Sequence, residues 1–268
     1  MSSKSDIFQN MKGVRMGQPE SFDLIPSAEF AASHLASFQK VLRARRSIRV
    51  YTGEAIPEAT MREILHEATL APSSSNLQSY ELYWVRDPQK KQKLAEACLN
   101  QPAATTAGEL VVVVARADLW QQNLQKLLGI MTADGKKLPA SVAFYYEKLI
   151  PKVMQSDPFG VLNLVRRIAF FFAGLKKPTV RGPVSNGDHR VFGHTQAALT
   201  AQTLMLSLAA HGYDSCPMGG FDGVRVKHIL NLPAKAEVAM VISAGTRKPE
   251  GLYGPQIRLQ DKDLIKEV

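Results

Sequence analysis

Cysteine is scarce in this sequence: Cys98 and Cys216 are the two thiols among 268 residues. Two cannot build a disulfide framework, and their spacing fits no metal motif, so a reducing compartment is the simpler expectation. Long apolar runs are missing too. No uninterrupted stretch reaches the roughly 18 residues of a membrane-spanning helix, and no apolar segment follows the mixed charges of the first 26 residues. Residues 1–26 therefore read as a loosely ordered leader, with no signal peptide, and the chain as cytoplasmic. There is no G-x-x-x-x-G-K-[ST] phosphate loop, no G-x-G-x-x-G between a strand and a helix, and no G-x-S-x-G elbow. The six histidines show neither i, i+4 pairing nor cysteine partners, so no metal site is expected. Acidic residues are outnumbered, giving a formal net charge of +9. That attracts anions in general and does not choose among nucleic acid, membrane surface and a phosphorylated cofactor.

Basic charge is concentrated in Arg45-Arg46-Ser47-Ile48-Arg49. Guanidinium forks match phosphate oxygens two at a time and keep their charge at any working pH. In an extended segment alternate residues point the same way, so Arg45, Ser47 and Arg49 converge while Arg46 faces elsewhere. Upstream, Phe30, His34, Leu35, Phe38, Val41 and Leu42 repeat at helical spacing behind Ser27, a suitable N-cap. Pro57 opens a second helix that ends near Ala71-Pro72.

Pro72 to Gln78 is a polar loop of locally bonding side chains. Tyr80 to Arg86 reads as a strand, Asp87 to Leu99 as a helix, and Leu110 to Ala115 as a strand buried on both faces. Residues of about 118–186 form a helical, basic insertion: from Lys136 to Arg181, nine basic residues face two acids. Within it Phe159, Leu162, Val165, Phe172 and Leu175 make an apolar helical face, with Val161, Leu164, Ile168 and Phe171 beside them. The spacing predicts a long helix over about Arg190 to His211, stopped by Gly212. Asp214 to Asp222 reads as a loop whose paired glycines let backbone approach a ligand. Cys216 within it reads as a small buried thiol more than a nucleophile. Val224 to Leu230 is a short helix, Val238 to Ala244 a second buried strand, and the chain from about 251 an extended polar tail. Polar loops with no obvious acid, base or nucleophile suit an enzyme whose reactive atoms belong to a cofactor, and equally a binding module.

Four segments, taken in order, resemble the nitroreductase family of homodimeric FMN-dependent oxidoreductases. Arg45-Arg46-Ser47-Ile48-Arg49 is similar to its R-x-S-x-R/K signature. Ala71-Pro72-Ser73-Ser74-Ser75-Asn76-Leu77-Gln78 is similar to its A-P-S-S-x-N-x-Q loop. Ala201-Gln202-Thr203-Leu204-Met205-Leu206, with Gly212 and Ser215-Cys216, resembles its A-Q-N-L-x-L helix and G-x-x-S-C turn, though Thr203 replaces the usual Asn. Pro217-Met218-Gly219-Gly220-Phe221-Asp222 matches P-x-x-G-F-D.

The resemblance implies an α+β fold, an α-β-α sandwich around a mainly antiparallel sheet, as one domain over 27–268 carrying the insertion. It implies FMN, with NADH or NADPH as co-substrate, and a homodimer with the flavin between subunits. Arg45, Arg46, Ser47 and Arg49 would hold the phosphate and ribityl end, joined by Arg258, for which Arg247 and Lys248 compete. Ser74, Asn76 and Gln78 would meet the flavin's polar edge. Met218, Gly219 and Gly220 would approach N5 through their backbone, and no side chain is assigned as catalytic. The implied activity is a ping-pong transfer of hydride from NAD(P)H to a nitroaromatic, quinone or activated alkene. The alternatives are a dehalogenating or flavin-processing branch, or a non-enzyme whose basic insertion contacts a membrane or nucleic acid. With the enzyme reading come a small-molecule substrate, no nucleic-acid partner and no stable membrane insertion.

Overall fold

Four consecutive valines, Val111 to Val114, set the centre of the fold. The computed structural model of the protein describes residues 27–155 and 161–268. Helices α1 (Ser27–Ala44) and α2 (Glu58–Ala68) precede strand β1 (Tyr80–Trp84), and α3 (Pro88–Ala97) and α4 (Pro102–Thr105) lead to β2 (Glu109–Ala115). Then come α5 (Trp120–Met131), α6 (Ala140–Phe144), a π-helical turn at Tyr145–Leu149, α7 (Ile150–Met154), α8 (Val161–Lys176) and α9 (Asn186–Ala210). Strand β3 (Asp214–Met218), α10 (Gly223–Ile229), β4 (Glu237–Gly245) and the one-turn α11 (Asp261–Leu264) complete the order. The expected leader, Phe159 and the side chains of Val161 and Leu162 lie outside the described residues.

The sheet runs β1-β2-β4-β3, antiparallel at every pairing. Strand side chains alternate between faces, so β2 feeds two cores. Leu110, Val112 and Val114 pack with Leu94 of α3 and Val226 of α10. Val111, Val113 and Ala115 pack with Met61 and Ile64 of α2 and Leu204 and Leu208 of α9. Every residue of β2 is buried, and removing a valine side chain from water stabilises by about 1.5–3 kcal/mol. The fold is the helix-flanked α+β sandwich expected from the sequence.

Two expectations need correction. Asp214 to Met218 is not loop but the edge strand β3, pairing with β4 from Asp214↔Gly245 to Met218↔Val241. Pro217 and the following glycines disguised it, yet an edge strand tolerates a proline because one side makes no ladder. Helix α9 begins at Asn186, about a turn earlier than the apolar spacing indicates. Ser185 Oγ accepts from the Asp188 N–H at 3.1 Å while Asp188 Oδ2 accepts from the Ser185 N–H at 2.9 Å. This reciprocal cap outweighs Gly187 in the first turn.

The apolar stripe of α1 finds little cover among the described residues: Phe30, Leu35, Phe38 and Leu42 are exposed. The base of the 118–186 stretch is anchored by a small cluster of Leu77, Leu124, Ile150 and Met154, with Trp120 and Phe192 against it.

Candidate functional site

The arginine segment is held between β3 and the chain that follows β4. Ser47 forms an isolated parallel bridge with Ser215, and the Ile48 N–H donates to the Ser215 carbonyl at 3.2 Å. On the other side the Arg49 N–H donates to the Gly251 carbonyl at 2.9 Å, and the Lys248 N–H to the Val50 carbonyl at 3.0 Å. Ile48 and Tyr51 are fully buried, pinning the segment from beneath. The Tyr51 hydroxyl is 3.0 Å from Ser243 Oγ, and burial holds its phenol well above the ordinary pKa.

The tail then folds back over this segment. Arg45, Arg46, Ser47 and Arg49 line one cleft of about 180 Å³ together with Leu252 to Arg258. Arg46 Nη2 donates to the Gly254 carbonyl at 2.6 Å, and the Arg49 guanidinium lies 5.0 Å from the centre of the Tyr253 ring. Four arginines line this cleft and no acidic residue does. Arg46 lines it along with its neighbours, so the alternation that pointed it elsewhere is overridden by its bond to the tail. Arg258 is in the lining; its competitor Arg247 instead bonds Asp214 Oδ2 through Nε at 2.7 Å.

Cys216 sits just beneath. Burial raises its thiol pKa, outweighing the opposing pull of Arg49, the Ser47 hydroxyl and Arg45. It stays a thiol at neutral pH, the less reactive form. Cys98, pushed to about 11 by burial alone, is likewise a thiol at neutral pH.

Strand β3 carries the chain from Ser215, beside Ser47, to the paired glycines. Four residues of strand span about 13 Å. Met218 is 3% exposed and belongs to the core, so only its backbone is available to a ligand. A β-carbon at Gly219 would meet nothing within 4 Å, which marks an open approach. Gln101, which sequence reasoning missed, fixes the loop by donating Nε2 to the Gly220 carbonyl at 2.6 Å. Among the described residues, neither glycine N–H donates to another group.

The Ser74–Asn76 loop lies elsewhere in the chain. Ser75, Asn76 and Gln78 adopt φ of 53°, 53° and 46°, a left-handed region that is unfavourable for side-chain-bearing residues. Its surroundings hold it there. The Ser74 N–H donates to Gln196 Oε1 at 2.7 Å, Ser75 Oγ and Tyr145 Oη are 2.7 Å apart, and Asn123 Nδ2 donates to the Leu77 carbonyl at 2.9 Å. Gln78 Nε2 bonds Asn76 Oδ1 at 3.3 Å. Gln196 is fourteen residues before the end of α9, about 21 Å along its axis, whereas the arginine segment is fixed at Ser215, beyond that end. One chain therefore does not bring Asn76 and Gln78 to the arginine cleft.

A second concavity of about 520 Å³ opens at the other end of the sheet, between Trp120, Met154, His189, His194 and Glu237. His194 Nε2 is 2.9 Å from Glu237 Oε2, and Arg190 Nε is 2.6 Å from Glu237 Oε1. His189 Nε2 is buried without a hydrogen-bond partner among the described residues, and burial lowers its pKa.

The chain matches the model of the nitroreductase family over residues 42–246. It is 31% identical over 216 residues to an NADH dehydrogenase of Thermus thermophilus, covering 81% of this chain and 89% of that protein. A Bacillus subtilis protein described as a nitroreductase superposes with a TM-score of 0.68 at 24% identity, covering 88% of this chain and all of the other. A protein from Exiguobacterium sibiricum, also described as a nitroreductase and solved in complex with FMN, gives 0.59 at 24% identity, covering 86% and 97%. On the family match, the shared identity and the common fold, the chain belongs to the nitroreductase family.

Proposed function

We propose that the protein is an FMN-dependent oxidoreductase that passes hydride from NADH or NADPH to a small oxidised acceptor: a nitroaromatic, quinone or activated alkene. The observation that carries this is the cleft in which Arg45, Arg46, Arg49 and Arg258 gather with no carboxylate in its lining. Like charges around one cleft repel one another, and a dianionic phosphate with several acceptor oxygens relieves that repulsion with charge-assisted bonds. The FMN phosphate fits that donor set, with Ser47 beside it. Further along β3, the open backbone at Gly219 and Gly220 offers N–H donors to the polar edge of a ring. Bound FMN supplies the centre that accepts and then releases the hydride. The chain's own part is to position that centre and, through the guanidiniums, to favour negative charge at its phosphate end.

Ser74, Asn76 and Gln78 complete this site in our reading when a second copy brings its own loop across a two-fold axis. Two features support a homodimer. The loop lies too far along α9 to serve its own cleft, and the apolar stripe Phe30, Leu35, Phe38 and Leu42 of α1 stands exposed. Steady-state turnover tests the function. NAD(P)H oxidation with menadione or a nitroaromatic should give parallel double-reciprocal lines and require FMN. No flavin-dependent turnover with any acceptor class would reject the proposal.

A further inference from the structure

Helix α8 presents a face that nothing else in the described chain covers. Leu164, Val165, Ile168, Phe171, Phe172 and Leu175 are each between 50% and 67% exposed. At 3.6 residues per turn these six fall within an arc of about 120°. The opposite side does the anchoring: Asn163 is buried, Arg166 donates to the Gln155 carbonyl, and Gly174 lies against the Arg181 guanidinium. Phe171 and Phe172 meet edge to face, with ring centres 5.5 Å apart, and otherwise look outward.

Charge identifies the occupant. The helix belongs to the stretch from Lys136 to Arg181 in which nine basic residues stand against two acids. Arg167 is exposed on it, and Lys177 follows its last residue. We propose that α8 docks the protein on an anionic lipid surface, lying in the headgroup plane with its apolar arc among the acyl chains and its cations on the lipid phosphates. No helix among the described residues is long and apolar enough to cross a membrane, so the contact is peripheral. Nucleic acid is disfavoured because the centre of the face is apolar, and phosphates would meet phenyl rings rather than cations.

Co-sedimentation of the full-length protein with vesicles tests this. Binding is expected to vesicles of mixed phosphatidylglycerol and phosphatidylcholine, to be much weaker to phosphatidylcholine alone, and to fall as salt rises. The double substitution Phe171→Ser/Phe172→Ser, on side chains already in solvent, should weaken partitioning about a hundredfold. Arg167→Glu should weaken it about tenfold on anionic vesicles only. Absence of binding to anionic vesicles, or binding that the double variant leaves unchanged, overturns the proposal. So does an association in vesicle-free buffer, with itself or with duplex DNA, that the double variant abolishes, because the face then belongs to that partner.

Discussion

Gly251 is the point at which the tail locks onto the arginine segment, and replacing it by alanine tests the construction of the cleft. Its carbonyl accepts from the Arg49 N–H at 2.9 Å, and its own N–H donates to the Lys248 carbonyl at 2.9 Å. A β-carbon there would lie inside the contact radius of the Val50 carbonyl oxygen, 2.9 Å from Ile48 Cγ2 and 3.0 Å from the Val50 nitrogen. Val50 offers backbone and Ile48 is fully buried, so neither can swing aside. The tail and residues 48–50 must part. Overpacking of this kind costs about 1–3 kcal/mol, and a backbone hydrogen bond lost with it adds about 1 kcal/mol. Gly251→Ala should therefore destabilise by about 3 kcal/mol, lowering Tm by roughly 6–12 °C. Arg258 is carried off with the tail. Losing one charge-assisted contact of about 1.5–3 kcal/mol weakens FMN binding roughly 10- to 150-fold. Gly254→Ala is the control, since a β-carbon there meets nothing within 4 Å and the carbonyl accepted by Arg46 remains. Scanning calorimetry and flavin-fluorescence titration read both effects. A Gly251→Ala protein with the Tm and FMN affinity of Gly254→Ala would refute the reasoning.

Other expectations follow from the same geometry. Arg45→Ala should weaken FMN binding by about 10- to 100-fold and leave riboflavin, which lacks the phosphate, within about twofold; isothermal titration measures both. Ser185→Ala removes half of the reciprocal cap on α9 and should cost about 1 kcal/mol in urea unfolding. Burial holds the His189 pKa below its ordinary value of about 6.5, so the unfolded chain takes up the proton first as pH falls. Stability from this group is complete above about pH 6.5 and is lost as pH falls toward the folded-state value. His189→Asn should flatten the pH dependence of the urea midpoint over that window.

Much of this was legible where the signal is local. The valines of β2, the Asp87-Pro88 start of α3 and the small-residue stripe of α9 each state their element within a dozen residues, and the structure has all three. The edge strand β3 was not legible, because Pro217 and two glycines carry a turn signal that only pairing with β4 overrides. The start of α9 was hidden by Gly187, since a cap shows in side-chain bonds rather than in apolar spacing.

At the site, the Arg45–Arg49 segment was visible as charge. The residues that shape it were not: Gly251, Tyr253 and Gln101 act through contacts separated by more than a hundred residues from their partners. The stripes on α1 and α8 were readable as apolar spacing, but spacing does not say whether the cover comes from the same chain. Among the described residues neither stripe is covered.

The central claim is that the arginine cleft holds the phosphate of one FMN per chain. Titrating the flavin-stripped protein with FMN, and separately with riboflavin, tests it most directly. The account predicts saturation at one FMN per chain, an affinity at least about a hundredfold above that for riboflavin, and a steep loss of that advantage with rising salt. Equal affinity for the two flavins, or no uptake of either, would contradict it.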